Sequence, residues 1–200
     1  MLGNITYPIA ISGKARSGKD TVAKMLAKLL HKTGAARIDA LANPMKEMLQ
    51  VMFPGCSEEC LYGASELRSE IISNDYIDKN GDPLTYRQAL LDLGAFARKY
   101  NNDIWLHCLL NGSKKDAYVH IISDIRRKNE FDFFKKHGFV MIRVVRDDHT
   151  KIDDLSETEQ DTILNKDFDW VIDNNSTIEA LYDRVMFIVE HLKENNNVAF

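Results

Sequence analysis

The stretch ISGKARSGKDTVAKML, residues 11–26, decides the fold. The apolar run YPIAIS ends in Gly13, a basic loop follows, and after Gly18 and Lys19 a helical pattern runs to about residue 32. That context, a strand before and a helix after, makes Gly13-x4-Gly18-Lys19 a phosphate-binding P-loop and not a chance glycine turn. Backbone N–H groups from Gly13, Lys14, Ala15, Arg16, Ser17 and Gly18 are expected to wrap a polyphosphate. The helix N-terminus adds partial positive charge, and Lys19 reaches the phosphoryl group that moves. Such a loop takes ATP or GTP. In most P-loops the residue after the lysine is Ser or Thr, whose hydroxyl binds Mg²⁺; here it is Asp20, with Thr21 next. Either Asp20 binds the metal, directly or through water, or it caps the helix while Thr21 offers the hydroxyl.

The rest of the chain sets bounds on this reading. At 200 residues it fits one core, with room for an inserted lid. With 44% hydrophobic and 28% charged residues it has a globular composition, and no apolar run approaches the roughly 18 residues of a membrane span. The N-terminal MLGNITYPIAISG lacks a basic leader region and reads as a first strand, so a cytoplasmic location without membrane association is expected. A net charge of −4 argues against a general nucleic-acid binder. Cys56, Cys60 and Cys108 make neither an even disulfide set nor a metal set, and are expected as reduced structural thiols.

Along the chain, β-rich runs alternate with amphipathic ones. YPIAIS, AARIDA, AYVHIIS, FVMIRVV and WVID are predicted strands, each followed by helical material. Parallel neighbours need crossovers, so this α/β order predicts a five-stranded parallel sheet with helices on both faces. The P-loop core is expected over residues 1–53, 114–146 and 167–195 of one domain. A polar, turn-rich excursion at residues 57–83 and two helices after it read as an insertion over the substrate site, about 54–113. Residues 147–166, mostly polar, read as a lid that closes over the nucleotide and excludes water, with a disordered acidic loop as the alternative. The last helix is expected over TIEALYDRVMFIVEHL, with ENNNVAF as a frayed tail.

Arginine suits anionic phosphate through its planar fork. Arg68 lies in the excursion. Arg87 and Arg98 are eleven positions apart on one predicted helix, about three turns, and so project from nearly one side. Arg126, Arg127 and Arg146 follow the third and fourth strands.

In order along the chain, SGKARSGKDTVAKML, LTYRQALLDLG with Arg98 and NDIWLHCLL after it, SDIRRKNEFDFFKKHG, and DLSETEQD resemble the motifs of the deoxynucleoside monophosphate kinases of bacteriophages. The likeness runs from the first strand to WVIDNNSTIEAL and is weakest over residues 57–83. It implies a core sheet with an acceptor insertion and a lid, and transfer of the ATP γ-phosphoryl group to a deoxynucleoside monophosphate (dNMP) with Mg²⁺, giving the diphosphate. The resemblance places Lys19 on the donor phosphates and Arg87 and Arg98 on the acceptor phosphate. Arg126 or Arg146, with Arg16 as a further candidate, meets the charge on the transferring group, and Asp124 orients Mg²⁺ or its waters. Ser156 and Glu157 match the lid motif, Lys46 sits on the acceptor side or on a solvated helix face, and Gln88 and Trp105 fall within matched motifs as substrate-side candidates, with a place in the core as the alternative for Trp105.

A monophosphate oxygen is already anionic at neutral pH, so no general base is required. The rival reading is a kinase with a hydroxyl acceptor, a nucleoside or dephospho-coenzyme A kinase, and it needs a proton acceptor. Asp39, at the end of the second strand, is the residue placed for that, with a cap or an acceptor-sugar contact as its alternative role. A nucleotide-dependent switch without a second substrate is a third reading. His31, His107, His120, His137 and His191 show no metal spacing and are assigned no chemistry. The partners expected are ATP and a dNMP, and the protein a monomer or homodimer.

Overall fold

The computed structural model describes residues 7–31, 35–112, 119–147, 160 and 162–196. The chain divides into two compact units, residues 1–41 with 110–200, and residues 42–109.

The first unit holds the sheet. Strands β1 (Tyr7–Ser12), β2 (Ala36–Asp39), β3 (Val119–Ile125), β4 (Val140–Val145) and β5 (Trp170–Asp173) lie in the order β2-β3-β1-β4-β5. Every pairing is parallel, as the alternation of apolar runs and helices predicts. The register sets Ile9 beside Ile121 and Val140, and Ile11 beside Ile142. Side chains alternate across a strand, so these residues share one face. There they join Val22, Leu26 and Leu30 of helix α1 (Lys19–Leu30) and Leu181, Val185 and Ile188 of the C-terminal helix in one buried cluster. The opposite face carries His120 and Met141. Helix α6 (Lys128–Lys136) packs on β4 and buries Phe131 and Phe134, and Phe134 meets Phe139 edge-on. Gly138, at φ 78, ends that helix in the left-handed region open to glycine.

The C-terminal helix, here α7, runs Ile178–Asn196, four residues past the expected end. Lys193 and Glu194 are good helix formers, and Leu192 keeps the apolar stripe buried to that point.

The second unit contains α2 (Asn43–Met52), α3 (Glu58–Tyr62), a 3₁₀ turn at Ser65–Ser69, α4 (Tyr86–Arg98) and most of α5 (Ile104–Gly112). Its core gathers Leu49, Leu61, Tyr86, Ala89, Leu93, Ala97 and Trp105. Thr85 caps α4 by accepting from the Gln88 N–H at 3.2 Å. Two antiparallel bridges, Ile71 with Thr85 and Ile77 with Pro83, fold the excursion back on itself around an Asp78 turn. Cys56, Cys60 and Cys108 are unpaired.

Candidate active site

With β1 central, β2–β3 on one side and β4–β5 on the other, the loop after β1 sits at the C-terminal edge of the sheet where the strand order diverges. Open α/β sheets bind ligands there. Residues 13–18 form that loop and lead into α1 with Gly18 as the cap residue, at φ 95 and ψ 12. Arg16 is the one non-glycine residue with positive φ among the described residues, at 62. Such backbone costs on the order of 1–2 kcal/mol and tends to persist where a binding surface needs it.

Both glycines are sterically required. A Cβ on Gly13 would lie 2.5 Å from Ser17 Oγ and 2.7 Å from the Val144 carbonyl oxygen, and one on Gly18 would run into Asn174 Nδ2. The loop is also bonded from outside. Asn174 Nδ2 donates to the Ser17 carbonyl at 2.8 Å, Gln160 Nε2 to the Gly13 carbonyl at 3.3 Å, and the Ser17 N–H to the Lys14 carbonyl at 3.1 Å.

Lys19 begins α1 and is only 8% exposed. Its ammonium lies 3.9 Å from Asp124 Oδ1 and 3.4 Å from the Lys14 carbonyl. Asp124, near the end of β3, also accepts from Arg126 Nε on the same oxygen at 2.8 Å. Lys19, Asp124 and Arg126 are thus brought together beside the loop. Behind them Glu130 is buried and accepts the N–H groups of Arg126 and Arg127, both at 2.9 Å. Burial pushes its carboxyl above the usual range, against those two bonds, and the Asp124 charge adds to the rise.

Asp20 and Thr21 are exposed in the first turn of α1, and no side chain caps that helix. Among the described residues no three His, Cys, Asp or Glu side chains cluster as a metal cage. A hard cation that keeps water and phosphate oxygens needs only one or two carboxylates, and Asp124 with Asp20 or Thr21 fits that need.

Arg146 is exposed and lines a cleft of about 350 Å³ beside the loop, together with Lys14, Asp147 and Asn165. Of the expected lid, residues 148–159 and 161 lie outside the described residues, Ser156 and Glu157 among them.

Asp39 is 5% exposed, and its Oδ2 is bonded to Arg37 Nε at 2.5 Å and His120 Nε2 at 2.9 Å. Burial pulls its pKa up, but the His120 and Arg37 hydrogen bonds and the Arg37 charge outweigh this and hold it below the usual carboxylate range. The cap position of α2 is held by Ala42.

In the second unit Arg87 is exposed and donates from Nη2 to the Ser65 carbonyl at 3.0 Å. Arg98 is half-buried near Gly94, and Arg68, in the 3₁₀ turn, has a buried Nε with no hydrogen-bond partner among the described residues. Gln88 donates to Asp92 at 2.9 Å. Lys46 is buried, with its ammonium 4.8 Å from the centroid of the Tyr62 ring. Trp105 lies in the unit's core and donates to the Gly94 carbonyl at 3.3 Å.

A family model described as deoxynucleotide monophosphate kinase matches residues 58–185, well over half of the chain. The chain belongs to that family. A protein of Acanthamoeba polyphaga mimivirus named "Putative deoxynucleotide monophosphate kinase" is 27% identical over 207 residues, covering 94% of this chain and 98% of that one. Among solved structures, the dephospho-CoA kinase from Campylobacter jejuni has a TM-score of 0.49 at 9% identity over 94% of this chain and 98% of its own. APE1195 has a TM-score of 0.42 at 15% identity over 96% and 98%.

The sequence reading did not find Gln160, Asn174, Glu130 or the pairing of His120 with Asp39. Asn174 carried a positional signal, since it follows β5 directly at the C-terminal edge of a parallel sheet. Glu130 carried another, a carboxylate three residues into a helix where a capping box would put one. Gln160 lies within the DLSETEQD motif, but nothing in that motif marks it as a donor to the loop.

Proposed function

We propose that this kinase transfers the γ-phosphoryl group of ATP to the 5′-phosphate of a deoxynucleoside monophosphate, producing the diphosphate. The observation that carries this reading is the convergence of Lys19, Asp124 and Arg126 at the mouth of the loop, in a chain of the deoxynucleotide monophosphate kinase family. Lys19 holds the donor phosphates. Arg126, with Arg16 and Arg146 as further donors of positive charge, meets the charge spread over the equatorial oxygens of the transferring group. Lys14 and Arg146 line the cleft assigned to the rest of ATP. Its volume suits a small-molecule site.

Asp124 with Asp20 or Thr21 would hold Mg²⁺, which when bound neutralises phosphate charge. Arg87 and Arg98 of α4 bind the acceptor phosphate, Arg68, Lys46 and Gln88 are further acceptor-side candidates, and Trp105 supports α4 from the core. Ser156 and Glu157 are assigned to the lid. The core, insertion and lid boundaries stand as proposals with them.

An acceptor phosphate needs no deprotonation, and Asp39 accords with that. A carboxylate already bonded to a guanidinium and an imidazole, with a lowered pKa, is a weak proton acceptor. This disfavours the hydroxyl-acceptor reading.

The test is coupled ADP release with ATP and Mg²⁺ across dAMP, dGMP, dCMP, dTMP, their ribose counterparts and free nucleosides. Turnover is expected with at least one deoxynucleoside monophosphate and with no free nucleoside, and Lys19→Met should lower kcat for every acceptor. Turnover restricted to nucleosides, or ATP hydrolysis indifferent to any monophosphate, would remove the proposal.

A further inference from the structure

A loop that grips an anion with its N–H groups must turn its carbonyls away, because an oxygen facing the phosphate repels it. Those outward carbonyls then need donors of their own. In this chain the donors are side chains from distant parts of the sequence. Gly13, the loop's first residue, has its carbonyl bound by Gln160 Nε2; Ser17, just before the helix cap, has its carbonyl bound by Asn174 Nδ2. Between them the Lys14 carbonyl takes the Ser17 N–H and the Lys19 ammonium.

Gln160 is 1% exposed, and its Oε1 is buried without a hydrogen-bond partner among the described residues. An apolar side chain would fill that space without stranding an oxygen, so packing alone does not account for glutamine here. Its Nε2 also reaches the Ile125 carbonyl at 3.5 Å, between Asp124 and Arg126 in the chain. Gln160 is itself fixed: Arg143 Nη2 donates to its carbonyl at 3.2 Å and Nη1 to that of Ile163, while the guanidinium lies 5.3 Å from the centroid of the Phe168 ring.

We propose that Gln160 and Asn174 are positioning residues of the donor site, binding the carbonyls at the two ends of the phosphate loop from behind so that its N–H groups face the triphosphate. The proposal rests on the reading of residues 13–19 as the ATP-binding loop. Neither residue touches the nucleotide. Their removal is felt through loop geometry: ATP binding weakens and the acceptor's does not.

The test uses the full chain and reads equilibrium binding of Mg·ATP together with both KM values. Gln160→Met and Asn174→Leu keep the volume and lose the donor. Each should weaken ATP binding and raise its KM about tenfold, the loss of one net hydrogen bond, with the acceptor KM within twofold of wild type. Gln160→Glu adds a reading that packing alone would not give. Protonated, its carboxyl still donates to Gly13. Ionised, it cannot, so ATP affinity should fall as pH rises through that group's pKa, while Gln160→Met stays weak at every pH. Asn174→Asp, the same shape without the amide donor, substitutes for Asn174→Leu if the latter fails to fold. ATP binding within twofold of wild type in the donor-free variants would overturn the proposal, as would equal rises in both KM values. A wild-type protein that binds ATP but phosphorylates no monophosphate would refute the proposed reaction, while the binding arm still tests this one.

Discussion

Replacing Gly18 with alanine tests the loop at its tightest point. Gly18 stands at φ 95 and ψ 12, where a Cβ costs roughly 1–2 kcal/mol. The new methyl also drives Asn174 Nδ2 off the Ser17 carbonyl, now bonded at 2.8 Å. Losing that bond adds about 0.5–1.5 kcal/mol. The sum, about 1.5–3.5 kcal/mol, corresponds to roughly a 10- to 400-fold weakening if it falls on nucleotide binding. Titration with Mg·ATP and coupled turnover at saturating monophosphate measure it. The two costs share a partner, so Asn174→Ala should cost much less in the Gly18→Ala background than in wild type. Strict additivity of the pair, or ATP affinity within threefold of wild type in Gly18→Ala, would refute the reasoning.

Other expectations follow from single contacts. Arg87→Ala should raise the acceptor KM by roughly 10- to 150-fold, a lost charge-assisted contact of about 1.5–3 kcal/mol, with ATP affinity little changed; equal weakening of both substrates would displace Arg87 from the acceptor site. Asp39→Asn should leave turnover substantially intact and lower stability at neutral pH. Because the folded-state pKa of Asp39 is depressed, its ionised form contributes stability above about pH 4 that is lost as pH falls through the folded value, so denaturation of wild type and variant should converge in acid. Glu130 runs the other way. Its raised folded pKa means stability declines as pH rises from its unfolded value to its folded one, so Glu130→Gln, which can still accept both N–H groups, should match or exceed wild type at pH 7 in urea. Glu130→Ala should lose about 1–3 kcal/mol there.

The sheet was legible because each strand is a short apolar run between turn signals, and five such runs separated by helical patterns leave parallel pairing as the natural arrangement. The strand order was not legible, since adjacency of β1 to both β3 and β4 is decided by packing between residues more than a hundred positions apart. Lys19 and Asp124 could be picked out from their places at a helix start and a strand end, and the fold brings them within 3.9 Å. Asp39 was visible as a strand-end carboxylate with Arg37 two residues before it, but its bond to His120 depends on the register of β2 against β3, which sets Arg37 beside His120. The carbonyl bonds of Gln160 and Asn174 were invisible for a related reason: a side chain that bonds main chain 147 or 157 positions away leaves no local spacing to read.

The central place of β1 also bears on how the polypeptide is made. Tyr7 pairs with Val119, 112 positions later, and Ile9 with Val140. At about 5–20 residues per second the ribosome takes on the order of 6–22 s to deliver the first of those neighbours, and until then the apolar strand lacks both sheet partners and can lean only on α1, whose Val22 and Leu26 share its cluster. The nascent chain therefore carries the central strand with both of its edges unpaired through most of synthesis. Holdase capture of early intermediates, or nucleotide added during refolding that speeds only the final step, would be the visible trace of that delay.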